Sequence, residues 1–475
     1  EGLQDQDFCD QNVSGLASLQ AEVSGFDLAD VAARTGVEDA LIIEAARLFA
    51  SGPKGTAITG TGPEMGAHPN LTQHLVSSLN IVCGRFYRAG DRLPNPGMLS
   101  PPSPKVAQVA DVAVAWGRGA RCRVRPDLGE LVTPGRLGPS REMPTAQLAD
   151  EILTPGEGQV KALFVIAGNP IMAWPDQEKA LAAMKDLELL VCIDPYISAT
   201  AELADYVLAP KLTLEREDVT LLSDAWYEKP YSQYSRAVIE SEHDVIEEWE
   251  LYWAIADRMN LEINIGRSVI PNQPKPEKFD LLKAITNGSR VDLDWLRDNP
   301  GGHIFEDVVS EVQPGPEGSV SKLKLYPEGV EEEFAELRAE PGLNADFPHL
   351  LIGFRSKYVL NSFGHNLPVL KKKSGTTNPA HLHPADLAAL GIEDDDEVQI
   401  ASAHGQISAI VKADAKIKPG VIAMHHCWGL SPDKQGSVRE NGANTNLLVS
   451  SESDTQRYTG MTRSSSIPVR IKKSA

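Results

Sequence analysis

An α/β protein built on parallel sheets and ending in a small closed β-barrel is the fold class that the sequence predicts, on three observations. Two apolar runs too short for helices, Ala162–Ile166 and Leu189–Ile193, alternate with helical segments such as 176–187. Each run stops at a polar or glycine-led turn, Gly168-Asn169-Pro170 after the first and Asp194 after the second. From about Pro348 the pattern changes to short strands separated by turns, at 349–353, 397–402, 406–412 and 420–424.

The remaining elements follow in order. Residues 27–50 read as two helices broken at Thr35-Gly36, with Val37, Ile42, Ile43, Ala46 and Phe49 on one apolar stripe. Residues 56–59 read as a strand, Gly60-Thr61-Gly62 as its turn and 68–83 as the helix that follows, an α/β unit. The Pro-, Gly- and Arg-rich stretch 91–142 reads as a long irregular connection. Residues 204–208 form a short third strand, and 244–259 an amphipathic helix. Residues 266–345, with their prolines and Glu331-Glu332-Glu333, read as a looser connecting region. The chain thus divides into the end of an α/β cofactor-binding domain (1–100), a second α/β domain with an irregular connecting region (101–345), and the barrel (346–475).

Composition excludes some function classes. A net charge of −21 argues against nucleic acid as a partner, which requires clustered Lys and Arg. No run of eighteen or more apolar residues is present, so no membrane span is expected. The five cysteines, Cys9, Cys83, Cys122, Cys192 and Cys427, are scattered without a CxxC pair, which supports neither a zinc site nor an iron–sulfur cluster within the chain. They read as idle thiols of a reducing compartment, and a cytoplasmic location is the expectation. The adjacent His425 and His426 lie on a strand and point to opposite faces, a poor arrangement for gripping one ion.

The segment HPADLAALGIEDDDEVQIASAHGQISAIVKADAKIKPGVIAMHHCWG at 383–429, with Arg355 and NSFGHNLP at 361–368 before it and GANTNLL at 442–448 after it, resembles the pterin-dinucleotide-binding domain of the molybdopterin oxidoreductases. GNP at 168–170, LELLVCIDPYISATAELADYVLAP at 187–210 and LEREDVT at 214–220 resemble the second α/β domain of that family. Departures occur at Ala209, where the family's proline falls, at Asp218, where glycine is common, and at Ser464-Ser465-Ser466, where the family often has a lysine near the cofactor. The resemblance implies Rossmann-like parallel-sheet domains followed by a double-psi β-barrel. It implies molybdenum or tungsten held by bis(molybdopterin guanine dinucleotide), a small-molecule substrate, electron-transfer subunits as partners, and two-electron redox or oxygen-atom transfer at the metal. A 4Fe-4S cluster and a metal-ligating residue belong, in the family, to segments N-terminal to those matched. The chain, which opens on Glu1, therefore reads as the C-terminal portion of a catalytic subunit that is inactive alone. RLPNPGMLSP at 92–101 lacks the run expected of formate enzymes. The alternative is a cofactor-free structural relative, such as the large subunit of respiratory NADH dehydrogenase.

Ten residues are the candidates for cofactor contact, and no residue is assigned to catalysis or to the metal. Gly60 and Gly62 let backbone approach a phosphate, or simply form a tight turn. Gly168 and Asn169 lie at the carboxyl end of a strand, where open α/β sheets bind ligands; Asn169 also suits a turn before Pro170. Asp194 offers a carboxylate to a guanine edge or ribose hydroxyls, or caps the segment near Ser198. Arg355 offers a planar fork for phosphate. Asn361, Ser362 and His365 follow in the same loop, and Asn446 lies in the glycine-led loop after 441.

Overall fold

The computed structural model describes every residue except 108–121, 127, 129–142, 266–267, 319, 366 and 475. Much of the irregular stretch expected at 91–142 therefore lies outside the described residues. In its described part, Arg92–Leu93 pairs antiparallel with Ser310–Glu311.

The two opening helices form where expected, Leu28–Thr35 and Asp39–Ser51. Asp27 caps the first by accepting from the Ala29 and Asp30 N–H groups, and Gly36 ends it at φ 65°, a left-handed conformation that suits glycine. The second helix has no buried residue, so its apolar stripe is not packed into a core formed by the described residues. The strand expected at 56–59 is extended chain without a strand partner among the described residues. Its backbone is held instead by Asn80, whose side chain accepts from Ala57 N and donates to Ala57 O, both at 2.7 Å. The helix that follows spans Pro69–Val82.

The expected connecting region is more ordered than its composition suggests. Helices Lys278–Ile285 and Leu293–Asp298 pack Leu282 and Leu296 against Met98, Leu99 and Tyr234. Helix Val330–Ala339 places Phe334 in a core with Phe8, Leu19 and Leu71, and Val13–Ser14 pairs parallel with Leu323–Lys324. Sequence-distant burial, invisible to local composition, stabilises these helices.

The middle unit is a three-stranded parallel sheet. β1 (Ala162–Ile166) pairs in register with β2 (Leu189–Ile193), and β2 with β3 (Tyr206–Leu208). Helices α1 (Thr145–Leu153) and α2 (Gln177–Asp186) bury Ile152, Ala180, Leu181 and Met184 against one face. β1 was expected to be buried, but it is an edge strand, and Phe164 and Ile166 remain exposed on the other face.

The C-terminal unit is a closed six-stranded barrel of β4 (His349–Gly353), β5 (Ala380–Leu382), β6 (Glu397–Ala401), β7 (Gln406–Ala413), β8 (Val421–Met424) and β9 (Ile467–Lys473). Spatial order is β4-β8-β5-β7-β6-β9, with β4 parallel to β8, β5 parallel to β7, and the remaining pairs antiparallel. Alternate residues point inward, so Leu382, Val398, Ile400, Ile422, Met424 and Val469 share one core. Helix α3 (Pro384–Leu390) starts on Pro384, is capped by His383 Nδ1 accepting from Ala385 N at 3.1 Å, and ends at Gly391 with φ 66°. No helix among the described residues is long and apolar enough to cross a membrane.

Candidate functional site

A cavity of about 450 Å³ lies between the carboxyl ends of β1 and β2 and two stretches of the barrel domain, 362–365 with Leu367 and the loop at 427–434. That volume falls in the range of small-molecule sites, roughly 300–1,000 Å³. Gly168, Asn169, Asp194, Ser362 and His365, five of the ten candidates, line it together. Parallel strands place successive strand ends side by side, so the turns after β1 and β2 share one edge.

The polar groups there are fixed by short local bonds. Asn169 Oδ1 accepts from the Thr200 hydroxyl at 2.9 Å and from Thr200 N at 3.3 Å. Asp194 Oδ1 accepts from Tyr196 N at 2.9 Å. Burial pushes the Asp194 carboxyl above its ordinary range, opposed by the Tyr196 N–H and the Ser198 hydroxyl, which favour the ionised form. Asp194 thus lines the cavity and braces the turn to Tyr196, while the short helix after it starts at Thr200 without a side-chain cap. Lys434, also in the lining, is ion-paired with Glu202. Cys427 lines the cavity too, but burial pushes its thiol up to about 11, so it is uncharged at neutral pH.

Beside the cavity, Arg355 and Asn361 form a niche with His426. Asn361 adopts φ 53°, and its Oδ1 takes a bond from Arg355 Nη1 at 2.6 Å and one from His426 Nε2 at 2.9 Å. Arg355 Nη1 also lies 3.2 Å from His426 Nε2, a contact that asks for the opposite tautomer from the bond to Asn361. His365 Nε2 donates to Asn361 O at 3.1 Å, and its ring stands edge-on to Trp428 at 4.2 Å. Burial holds His365, His425 and His426 below the ordinary imidazole range, and the Arg355 charge adds to this at His426. Neutral imidazoles around one guanidinium leave the niche with a single positive charge. The sequence places His425 and His426 on a strand facing opposite ways, but β8 ends at Met424 and both line one small pocket with Arg355 and Asn361; His425 Nδ1 donates to Phe354 O at 2.9 Å. Among the described residues, no group of three or more His, Cys, Asp or Glu is gathered for a metal.

Three candidates lie elsewhere. Gly60 caps a one-turn helix, Thr61–Glu64, and both Gly60 and Gly62 face open space away from the cavity. Asn446 is buried and donates from Nδ2 to Met172 O at 2.9 Å, while its own carbonyl accepts from Asp176 N at 3.1 Å. It straps the barrel to the start of α2, with Asn444 Nδ2 also within 3.4 Å of Met172 O. Sequence reasoning missed Thr200, Ser198, Ser431 and Lys434. A Thr-Ala pair at 200–201 was visible, but what it holds depends on how the chain folds back.

Two family models match the chain in order, Molybdopterin oxidoreductase over 56–258 and Molydopterin dinucleotide binding domain over 350–467. The NADPH-Fe(3+) oxidoreductase subunit alpha of Geobacter sulfurreducens is 26% identical over 438 residues, covering 91% of this chain and 46% of that protein. Acetylene hydratase of Syntrophotalea acetylenica is 23% identical over 471 residues, covering 92% of this chain and 62% of that protein. Dimethyl sulfoxide reductase DmsA of Escherichia coli is 23% identical over 441 residues, covering 84% and 51%. The chain thus spans about half to three-fifths of the length of these relatives. The solved acetylene hydratase from Pelobacter acetylenicus shares the fold, with a TM-score of 0.73 at 19% identity, over 99% of this chain and 68% of that one. With both domain models matched in sequence order and the barrel closed at its C-terminal end, the chain belongs to the molybdopterin oxidoreductase family.

Proposed function

We propose that this chain holds the guanosine end of a molybdopterin guanine dinucleotide in the cavity between the β1–β2 edge and the barrel. The observation that carries the reading is the pairing of Asn169 and Asp194 on adjacent turns, opposite Ser362 and His365 of the dinucleotide-binding domain. The donor set fits the group. An ionised Asp194 accepts N–H groups from a guanine edge, the Asn169 amide donates, and the Gly168 turn allows close approach of backbone. Arg355, beside the cavity, is suited to phosphate, and its exposed position leaves part of its fork for a ligand. The two parallel strand pairs within the closed barrel support the double-psi reading, and the β1–β2–β3 sheet supports the Rossmann-like one.

A pair of such dinucleotides with molybdenum or tungsten supplies two-electron redox or oxygen-atom chemistry. The residues of this chain bind and orient it, and the barrel covers the cavity from the side opposite the sheet. Two relatives are named as alpha subunits, which supports electron-transfer subunits as partners of the complete enzyme.

Isothermal titration of the chain with GDP tests the reading. Saturable binding is expected, weakened at least about tenfold by Asp194→Asn and by Asn169→Ala, as loss of a charge-assisted or buried bond predicts. Absence of GDP binding by the unaltered chain defeats it.

A further inference from the structure

We propose that Thr200, buried behind the cavity wall, is a positioning residue that sets which end of the Asn169 amide faces the ligand, and thereby which purine the cavity accepts. The inference rests on the nucleotide reading above.

Thr200 is fully buried, and its hydroxyl has a defined polarity. The oxygen accepts from Ile171 N at 3.1 Å, and its single proton is given to Asn169 Oδ1 at 2.9 Å. The Thr200 backbone N–H, a donor only, reaches the same Oδ1 at 3.3 Å. A rotated amide would set its NH₂ group against the Thr200 N–H, a donor only, and would take from the Thr200 hydroxyl proton the acceptor it now has, leaving buried polar groups unpaired at a cost of roughly 1–3 kcal/mol each. The oxygen is therefore held inward. Asn169 Nδ2 has no hydrogen-bond partner among the described residues, and Asn169 lines the cavity, so this side chain offers the ligand a donor and not an acceptor.

Asp194, on the adjacent turn, offers the opposite polarity. The cavity edge therefore reads donor, then acceptor. Guanine presents O6, an acceptor, beside N1–H and the 2-amino group, which are donors. Adenine presents the reverse, a 6-amino donor beside the N1 acceptor. One edge fits and the other sets donor against donor. The discrimination depends on the Asn169 amide being unable to turn, and Thr200 supplies that constraint without touching the ligand.

The test measures the ratio of GDP to ADP affinity by titration calorimetry, together with the thermal midpoint of each variant. The unaltered chain is expected to prefer GDP at least about tenfold. Thr200→Val keeps shape and loses the hydroxyl. It is expected to reduce that preference about tenfold or more, by weakening GDP and admitting ADP. Thr200→Ser restores the hydroxyl and is expected to keep the preference. A structural role alone would weaken both nucleotides alike, so an unchanged ratio in Thr200→Val overturns the proposal while GDP binding leaves the nucleotide reading intact. If Thr200→Val does not fold, loss of the preference in Thr200→Ser overturns it equally. Failure of the unaltered chain to bind GDP overturns both.

Discussion

Replacing Asn446 with alanine separates two roles for a residue that the sequence places in a cofactor loop and the structure places in a strap. The Asn446 side chain is buried and gives a 2.9 Å bond to Met172 O. Its removal loses a net contribution of about 0.5–1.5 kcal/mol for the bond, plus part of the cost of a buried carbonyl left short of a donor. Asn444 Nδ2, 3.4 Å from the same carbonyl, remains as a partial replacement. The backbone bond from Asp176 N to Asn446 O also survives the substitution. The expected loss is thus about 1–2 kcal/mol. At a urea slope of about 2 kcal/mol/M, the unfolding midpoint falls by about 0.5–1 M. Fluorescence of the buried Trp428 reports the transition, and calorimetry with GDP reports the cavity. The strap role predicts a lowered midpoint with GDP affinity changed by no more than about twofold. An unchanged midpoint with a tenfold loss of GDP affinity would refute it and return Asn446 to direct ligand contact.

Other expectations follow from the same geometry. His365, His425 and His426 are held below their ordinary value of 6.5, so the unfolded chain binds protons there more readily than the folded one. Their contribution is intact above about pH 6.5 and is lost as pH falls from there toward the folded-state values. Urea midpoints between pH 7.5 and 5 (about 0.5 unit apart) read this, and His426→Gln should decline less steeply; an identical slope in the variant counts against the assignment. Gly429 has φ 92°, and a Cβ there would lie 2.8 Å from Asn444 N, so Gly429→Ala should cost about 2–4 kcal/mol in urea unfolding. Ile422 is fully buried in the barrel, and Ile422→Ala should cost about 2–5 kcal/mol; a loss under 1 kcal/mol would mean that the barrel core is not packed as described.

Legibility in the sequence followed the range of the interactions involved. β1, β2, β4, β6, β7 and β8 were legible as apolar runs between turn residues, because burial of a strand face is written in its own residues. β5, at Ala380–Leu382, was not, because three residues carry too short a pattern and its place is decided by pairing with β7 and β8. β9 was hidden because Ser464–Ser466 and Pro468 mask an alternation that only pairing with β4 and β6 completes. Helices Lys278–Ile285 and Leu293–Asp298 were obscured by prolines and acids, and Met98 and Leu99, nearly two hundred residues away, supply the surface that they bury.

At the cavity the division is similar. Asn169 and Asp194 were marked by position, as polar residues directly after apolar strands, and that much a linear sequence carries. Whether Asn169 donates or accepts was not, because the answer lies in Thr200, thirty-one residues on, whose hydroxyl polarity is set in turn by Ile171 N. Asn446 and Asn361 are both asparagines in loops, and nothing local distinguishes a strap from a niche residue. The sequence by itself determined the apolar strands and turns of the middle sheet and of most of the barrel, because these rest on periodic burial and on local turn chemistry, and the resemblance of its motifs pointed to the family. Only the tertiary structure decided which polar atoms face the cavity, because a side-chain amide or imidazole has two ends, and the partner that occupies one of them comes from a distant part of the chain.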